Sequence, residues 1–259
     1  KKGTPTMGGF IILLSLLIPT LLFAKITNVY IVLLLTSAVW LGAVGFADDY
    51  IKVFKKNKEG LSGKFKIVGQ IGLGLIVGLT MYFNQHIKVR MYDKVTMLAD
   101  GTQVQSYTDT KSLLTTVPFL KDNQFDYNIL LPSFIPDHYV WIVYVLVVIF
   151  IITAVSNGAN ITDGIDGLAG GIGLIGSATF AYWFYRSGDL PLALLAVGLA
   201  GSLLGFLVFN FHPARIFMGD SGSLVIGVTM YVLAMKMIEF PPSKLSLVMQ
   251  DISKPVLAM

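Results

Sequence analysis

The sequence has no cysteine and few charged residues. The absence of Cys excludes disulfide frameworks, thiolate zinc sites and cysteine nucleophiles. Only 13% of the 259 residues are Asp, Glu, Lys or Arg, against about 25% in a typical soluble domain, whereas 54% are hydrophobic. This balance excludes a disordered chain and argues against a soluble enzyme. The net charge of +4 is too small and too scattered to indicate nucleic-acid binding.

Long apolar runs predict an all-α polytopic membrane protein, because a helix needs about 20 apolar residues to cross a bilayer. Seven runs have this character: Gly8–Ala24, Val29–Ala47, Ile67–Phe83, Tyr139–Val155, Leu168–Tyr185, Leu190–Phe209 and Ser221–Ile238. Part of an eighth run opens near Leu245, and the sequence begins at Lys1 without a start Met. We therefore expect a single integral-membrane domain over residues 1–259 that is a fragment truncated at both ends.

The distribution of basic residues predicts the sidedness of the loops. The N-terminus and the loops after spans two, four and six share one side. That side holds most of the Lys and Arg residues near span ends, so the positive-inside rule makes it cytoplasmic. Residues Asn84–His138 then form one long extracytoplasmic loop insertion. Within it, Ile87–Tyr92 and Thr102–Tyr107 have the composition of β-hairpin strands.

Three polar islands lie at span ends on the predicted cytoplasmic side. They are Asp48–Lys52, Asn157–Gly167 and Asn210–Gly222, and they hold five of the 15 acidic residues. Adjacent carboxylates at a membrane boundary repel each other and resist burial, and a divalent cation relieves both costs. Oxygen ligands without cysteine favour Mg²⁺, with Mn²⁺ as an alternative. Because Mg²⁺ often completes its coordination shell with substrate phosphates, a phosphate-bearing substrate is expected.

Local spacing is compatible with both a functional and a simpler interpretation of these islands. Asp48 and Lys52 share a helix face if the second span continues. Asp220 and Ser221 precede an apolar run as a helix N-terminus, whose free amides hold an anion. Taken singly, the Asp pair is a solvated helix end and Asp220-Ser221 is a helix cap. Acidic residues grouped at membrane level on one face favour a site.

Glycine patterns in the spans indicate helix packing. Gly171-x-Gly173-x-x-Gly176 matches a dinucleotide-binding fingerprint, but no strand precedes it and it lies in an apolar run. We interpret it as a helix contact, as we do Gly74-x-x-x-Gly78 and Gly201-x-x-x-Gly205.

At the polar islands the sequence resembles the polyprenyl-phosphate N-acetylhexosamine-1-phosphate transferases. The resemblance rests on four motifs in order, Lys1–Gly9, Asp48–Lys52, Asn157–Leu168 and Phe209–Leu224, and covers nearly the whole chain. The opening motif and His212–Arg215 are most similar to the branch of the family that uses a muramoyl-pentapeptide donor. Members have about ten spans and a late His-rich cytoplasmic loop, which lies beyond the end of this sequence.

The resemblance implies a reaction and its location. The activity would be Mg²⁺-dependent transfer of phospho-N-acetylmuramoyl-pentapeptide from UDP-N-acetylmuramoyl-pentapeptide to undecaprenyl phosphate, with release of UMP. The product would be the first lipid-linked precursor of peptidoglycan. The enzyme would lie among membrane lipid in the bacterial inner membrane with its active site on the cytoplasmic face, and the family makes a homodimer plausible.

The resemblance also implies roles for individual residues. Asp220, Asp48 and Asp49 are the catalytic and metal-binding candidates, with Asp220 the first choice as a direct ligand. One of the pair would deprotonate the lipid phosphate or attack the diphosphate covalently, and the sequence leaves both open. The substrate-binding candidates are Lys1, Thr6, Lys52, Lys64, Asn157, Asn160, Asp163, Asp166, Asn210, His212, Phe217 and Gly219. Among them Lys1 matches a lysine near the nucleotide, Lys52 and Lys64 are phosphate partners, and Phe217 is available to stack on uracil.

Two alternative functions remain open at this point. A UDP-N-acetylglucosamine-1-phosphate transferase that serves another glycan shares most of the motifs. An ion-coupled transporter is a more remote alternative. Transporters place their acidic residues near the membrane midplane, whereas here they cluster at one face.

Overall fold

Seven α-helices make up most of the described chain in the computed structural model, which describes residues 3–57, 59–92, 96–97, 103–104, 107–111, 114–116, 124–132 and 136–238. The helices are α1 Gly9–Phe23, α2 Val29–Val53, α3 Gly63–Phe83, α4 Val140–Thr162, α5 Leu168–Ser187, α6 Leu190–Asn210 and α7 Asp220–Ile238. Lys1 and the expected eighth run near Leu245 lie outside the described residues.

Four of the described helices, α2, α3, α4 and α6, are long and apolar enough to cross a membrane, and α1 is a shorter apolar helix. In lipid each backbone polar group must be satisfied within the segment, which a helix achieves. The protein is therefore a mostly helical integral-membrane protein. Helices α5 and α7 have 20 and 19 residues but are not among these four, so the count of seven spans stays a prediction.

Helix α7 lies at the centre of the bundle, where three other helices approach it at glycine. A Cβ atom on Gly9 of α1 would lie 2.1 Å from the backbone nitrogen of Gly222. One on Gly45 of α2 would lie 2.4 Å from the carbonyl oxygen of Asp220, and one on Gly227 would lie 2.8 Å from Cα of Ser156 in α4. These approaches bury the first half of α7, although it includes an aspartate, two serines and a threonine.

The predicted glycine contacts are found in part. Gly74 packs on Ile149 and Gly78 on Val145, so the first pair brings α3 against α4 as expected. Gly173 faces Leu203 of α6, whereas no described atom lies within 4 Å of a Cβ built on Gly201 or Gly205. The second pair therefore forms no helix contact within the described chain.

The described residues between α3 and α4 include three short antiparallel strand pairs. β1 (Val89–Tyr92) pairs with β4 (Tyr107–Thr110), β2 (Thr96–Met97) with β3 (Gln103–Val104), and β5 (Leu114–Thr116) with β6 (Gln124–Asp126). Two 3₁₀ turns, Tyr127–Leu130 and Asp137–Tyr139, lead into α4. Buried Tyr127 packs edge-on against Tyr144 near the start of α4, with ring centroids 5.1 Å apart, and so attaches this segment to the bundle.

Two helices extend beyond the predicted spans and carry polar residues with them. Helix α2 continues from the apolar run to Val53, so Asp48, Asp49 and Lys52 are helical. Helix α4 continues to Thr162, which makes Asn157 and Asn160 helical instead of loop residues. Asp163 follows as the C-cap of α4, and the turn to α5 includes Gly167 with φ +77°.

A candidate acidic site at one end of the bundle

The structure brings the three polar islands together at one end of the bundle. Asp49 of α2 accepts hydrogen bonds from the start of α7, and Asn160 of α4 donates to Ser223 Oγ over 2.9 Å. Asn210 at the end of α6 contacts the turn before α5. Segments far apart in the sequence therefore meet at the same end of the bundle.

Three buried carboxylates and two lysines form the centre of the site. Asp48, Asp49 and Asp220 are 0%, 3% and 8% exposed, and one oxygen from each lies within 4.8 Å of the others. Lys66 Nζ lies 2.9 Å from Asp48 Oδ1 and 2.5 Å from Asp220 Oδ2. Lys52 Nζ contacts Asp48 Oδ2 and lies 3.2 Å from Asp220 Oδ1. Two ammonium groups thus bridge the same two carboxylates, and this pairing offsets the cost of burying the charges.

Asp49 has different partners from its neighbour. Its Oδ1 accepts a hydrogen bond from the backbone N–H of Asp220 over 3.1 Å, and its Oδ2 accepts one from Ser221 over 3.0 Å. Asp49 therefore caps the N-terminus of α7, where unsatisfied amides and the helix dipole favour an anion. The sequence predicted an anion at this helix start, and within the chain that anion is Asp49 itself. A Cβ on Gly219, whose φ is +75°, would lie 2.6 Å from Asp49 Oδ2.

The loop between α2 and α3 folds over Asp48. The backbone N–H of Leu61 donates to Asp48 Oδ1 over 2.7 Å. Gly60 has φ +68°, and a Cβ atom there would lie 2.5 Å from the same oxygen. Asp48 is thus held by its own helix partner Lys52, by Lys66 and by this loop, which explains its complete burial.

Lys66 is a site residue that the sequence analysis missed. It selected Lys64, which the structure places on the exposed side of the first turn of α3. Lys66 lies four residues before buried Gln70 and so shares the inward face of α3 with it. The periodicity of the buried positions in α3, which continues through Leu73 and Gly74, is the signal that selects Lys66 over Lys64.

Two predicted substrate residues of α4 belong to hydrogen-bond networks of the bundle. Asn157 Nδ2 donates to Gln70 Oε1 over 3.0 Å, and Gln70 Nε2 donates to Ser156 Oγ over 3.0 Å. Asn160 lies one turn further on, where it contacts Ser223 and stands beside Asp220. Gln70 was not selected from the sequence, because a single Gln in an apolar run has no distinguishing pattern.

Asp163 lies close to the negative charges of the centre. Burial and the charges of Asp220 and Asp49 raise the pKa of Asp163 to about 7. The backbone N–H of Gly219 donates a hydrogen bond that favours the carboxylate, but it does not offset these effects. Near neutral pH this side chain therefore takes up or releases a proton as its surroundings change charge.

Asn210 and Asp166 hold the loops that follow the helix ends beside the acidic site. Buried Asn210 accepts from the backbone N–H of Gly167 and donates to the carbonyl oxygen of Ile216, both over 2.9 Å. Asp166 Oδ2 lies 3.2 Å from His212 Nδ1 and accepts from the N–H of Ala214 over the same distance. His212 is 83% exposed in its side chain and orders this turn through Asp166. Contact of these residues with uridine stays a prediction.

The N-terminal segment lies against the third island. Phe217 N–H donates to the carbonyl oxygen of Pro5, and the N–H groups of Gly8 and Gly9 donate to the carbonyl oxygens of Phe217 and Met218, over 2.8–2.9 Å. These hydrogen bonds hold the N-terminal segment next to Gly219. Thr6 is exposed, and Phe217 is half-buried.

The residues present fit a divalent cation. Mg²⁺ takes oxygen ligands at about 2.0–2.1 Å, which puts opposite ligands about 4.2 Å apart. Carboxylate oxygens within 4.8 Å of one another need only a small closure to reach this size. An ion here would be shielded from bulk water, and it would compete with Lys52 and Lys66 for Asp48 and Asp220.

Comparison with known sequences assigns the chain to a family. The profile of glycosyl transferase family 4 matches residues 30–238, a range that includes all three polar islands. The chain belongs to glycosyl transferase family 4. The family resemblance drawn from the motifs is confirmed.

Several curated relatives of this family 4 chain are phospho-N-acetylmuramoyl-pentapeptide-transferases. The protein of Amoebophilus asiaticus is 49% identical over 251 residues, which cover 90% of this chain and 62% of the relative. Those of Parabacteroides distasonis and Flavobacterium psychrophilum are 48% and 47% identical over 90% of this chain and 60% and 62% of their own length. The chain thus spans about three fifths of the length of these relatives.

Proposed function

We propose that this protein transfers phospho-N-acetylmuramoyl-pentapeptide from its UDP conjugate to undecaprenyl phosphate in a Mg²⁺-dependent reaction. An oxygen of the lipid phosphate would form a bond to the sugar-linked phosphorus, and the bond from that phosphorus to UMP would break. One observation carries the proposal, namely the lysine-bridged cluster of Asp48, Asp49 and Asp220 at one end of a membrane bundle. Family 4 membership and the names of the relatives support it.

Asp48 and Asp220 would hold the metal in this proposal. Both present buried oxygens to the centre, and both are paired with cations in the structure. Asp49 would support them from behind, because both of its oxygens accept backbone amides of α7. The ion, when bound, would neutralise charge that develops on the phosphate oxygens.

Lys52 and Lys66 would bind the phosphates of the two substrates. Each ammonium group is shared between two carboxylates, and a metal that takes over those carboxylates leaves the lysines available to new anions. Phosphoryl transfer depends mainly on alignment and on neutralising charge, and two lysines beside the metal would supply both. Asn210 and Asp166 would keep the nucleotide-side loops in place.

The polyprenyl chain of the acceptor would lie in an apolar groove between α4, α5 and α7. This groove has a volume of about 260 Å³ and is lined by residues such as Val155, Ala159, Ile172, Ile226 and Met230. Ser223, one turn from Asp220, belongs to its lining as well. A lipid tail in the groove would bring its phosphate towards the acidic centre from the membrane.

Release of UMP from each UDP-sugar, with and without Mg²⁺, tests the proposal. We expect UMP from UDP-N-acetylmuramoyl-pentapeptide and undecaprenyl phosphate, only with the metal present. Asp220→Asn should reduce the rate by about 10²–10³-fold, the usual effect of removing one electrostatic stabiliser. Asp189→Asn is the matched control, because Asp189 caps α6 at the other end of the bundle and Asn caps helices equally well.

Three results would contradict the proposal. UMP released only from UDP-N-acetylglucosamine would assign the chain to another glycan. Ion flux without UMP release would indicate a transporter. Equal rates for Asp220→Asn and Asp189→Asn would remove the acidic cluster from the reaction.

A further inference from the structure

A buried polar network joins α3 to α4 beside the acidic site. Gln70 is 0% exposed and lies one turn after Lys66, and its amide contacts Ser156 and Asn157 on α4. Ser156 is also fully buried. Buried polar groups of this kind need complete hydrogen bonding, so the direction of each bond is constrained.

A backbone carbonyl fixes the direction of every bond in the network. Ser156 Oγ donates its one proton to the carbonyl oxygen of Ile152 over 2.6 Å, so it accepts from Gln70. Gln70 therefore presents its nitrogen to Ser156 and its oxygen to Asn157. Asn157 Nδ2 then donates to Gln70 Oε1 and to the carbonyl oxygen of Thr153, at 3.0 and 2.8 Å, and both of its protons are used.

The bonds made by Nδ2 determine which atom of the Asn157 amide is still available to a ligand. With both Nδ2 protons committed, the group left over is the carbonyl oxygen Oδ1, and the described residues supply no donor to it. Asn157 is half-buried and lies on α4 one turn before Asn160, which stands beside Asp220. Oδ1 is therefore the atom of the Asn157 amide that remains available to accept a hydrogen bond from a ligand.

We propose that Gln70 is a positioning residue that holds Asn157 with its Oδ1 towards the site, as the acceptor for an N–H or O–H group of the nucleotide-sugar donor. This inference rests on the proposed transferase function for the identity of the ligand. Gln70 itself touches no substrate and acts through Asn157.

Two substitutions of nearly equal size distinguish this role from simple packing. Gln70→Met fills the space but has no hydrogen-bonding groups. Gln70→Glu carries a carboxylate at high pH, which cannot donate to Ser156. When protonated, Glu has one O–H donor and one carbonyl acceptor and reproduces the amide pattern. The two forms of Glu therefore differ in the hydrogen bonds that they can make with Ser156, and a change of pH interconverts them.

The test measures UMP release and the thermal unfolding midpoint of the full chain between pH 6 and pH 9, each relative to the unsubstituted protein at the same pH. We expect Gln70→Met to lower kcat/KM about tenfold at every pH, the effect of one lost hydrogen bond. Gln70→Glu should match it at pH 9 and approach the unsubstituted protein at pH 6. The loss should appear mainly in KM for the UDP-sugar.

The controls separate this inference from other titrations and from failure of the proposed function. Lys66 on α3, Asp163 after α4 and Asp220 on α7 share this end of the bundle, and Gln70→Met retains all three. Identical pH profiles for the two variants, or two fully active variants, would overturn the inference. If the protein releases no UMP but the unfolding midpoint of Gln70→Glu still recovers at pH 6, the hydrogen-bond network is supported. The proposed transferase function is then contradicted.

Discussion

The two adjacent aspartates of α2 have separate tasks, which their partners define. Asp48 is paired with two lysine side chains, whereas Asp49 accepts hydrogen bonds from two backbone amides at the start of a helix. Sequence reasoning gave both aspartates the same candidate roles and left open which of them acts on the phosphate. It could not separate them, because the division depends on the approach of α2 to α7 at Gly45, a tertiary contact with no local signal.

Asp163 gives a pH dependence whose sign follows from its raised pKa. In the folded state the pKa is about 7, against an ordinary value of 3.8, so between these values the folded protein holds a proton that the unfolded chain has lost. The contribution of Asp163 to the free energy of unfolding is therefore fully present below about pH 4 and decreases until about pH 7.

Thermal unfolding in detergent and chelator should reveal this contribution. The midpoint of Asp163→Asn should rise relative to that of the unsubstituted protein as the pH increases from 5 to 8. A constant difference between the two proteins over this range would show that the Asp163 carboxyl titrates as in an unfolded chain.

At the scale of helices, apolar runs predict where the elements lie better than where they end. The predicted face shared by Asp48 and Lys52 is confirmed, because α2 continues to Val53. Asn157 and Asn160 were expected in a loop, but α4 retains its hydrogen bonds beyond the apolar run. Polar residues end a span without ending its helix, so composition alone does not locate this boundary.

The start of α7 depends on Gly219, and a second glycine provides a matched control. Gly219 and Gly188 have φ +75° and +81°, so Ala at either position is strained by about 1–3 kcal/mol. At Gly188 a Cβ meets no described atom within 4 Å, whereas at Gly219 it meets the Asp49 carboxylate. We expect Gly219→Ala to lower the thermal midpoint more than Gly188→Ala and to reduce UMP release strongly.

Comparable midpoints and rates for the two alanine variants would argue against this cap. They would mean that Asp49 moves aside without affecting Asp220. The comparison needs both measurements, because backbone strain alone changes the midpoint at either glycine.

The orientation of the whole molecule in the membrane is a prediction that chemical labelling can test. Because these 259 residues contain no Cys, a single introduced Cys is the one thiol among them that a maleimide can label. Lys55, after α2, and Lys25, after α1, are both exposed and lie at opposite ends of the bundle. In intact spheroplasts an impermeant maleimide should label Lys25→Cys, and it should label Lys55→Cys only after lysis.

The opposite labelling pattern would put the acidic site on the outer face. Labelling of both residues in intact spheroplasts would mean that the chain has no single orientation. Either result would contradict a site supplied with nucleotide from the cytoplasm.

The hydrogen bonds between Asp49 and α7 join residues 171 and 172 positions apart, and this separation sets an order of events during synthesis. At 5–20 residues per second, roughly 10–30 s pass between translation of Asp49 and of Ser221. During that interval α2 lacks the two backbone amides that later donate hydrogen bonds to Asp49. A chain released before residue 220 therefore carries the aspartate pair and both lysines of the site but neither Asp220 nor the amides of α7, so the acidic cluster stays incomplete until the central helix is made.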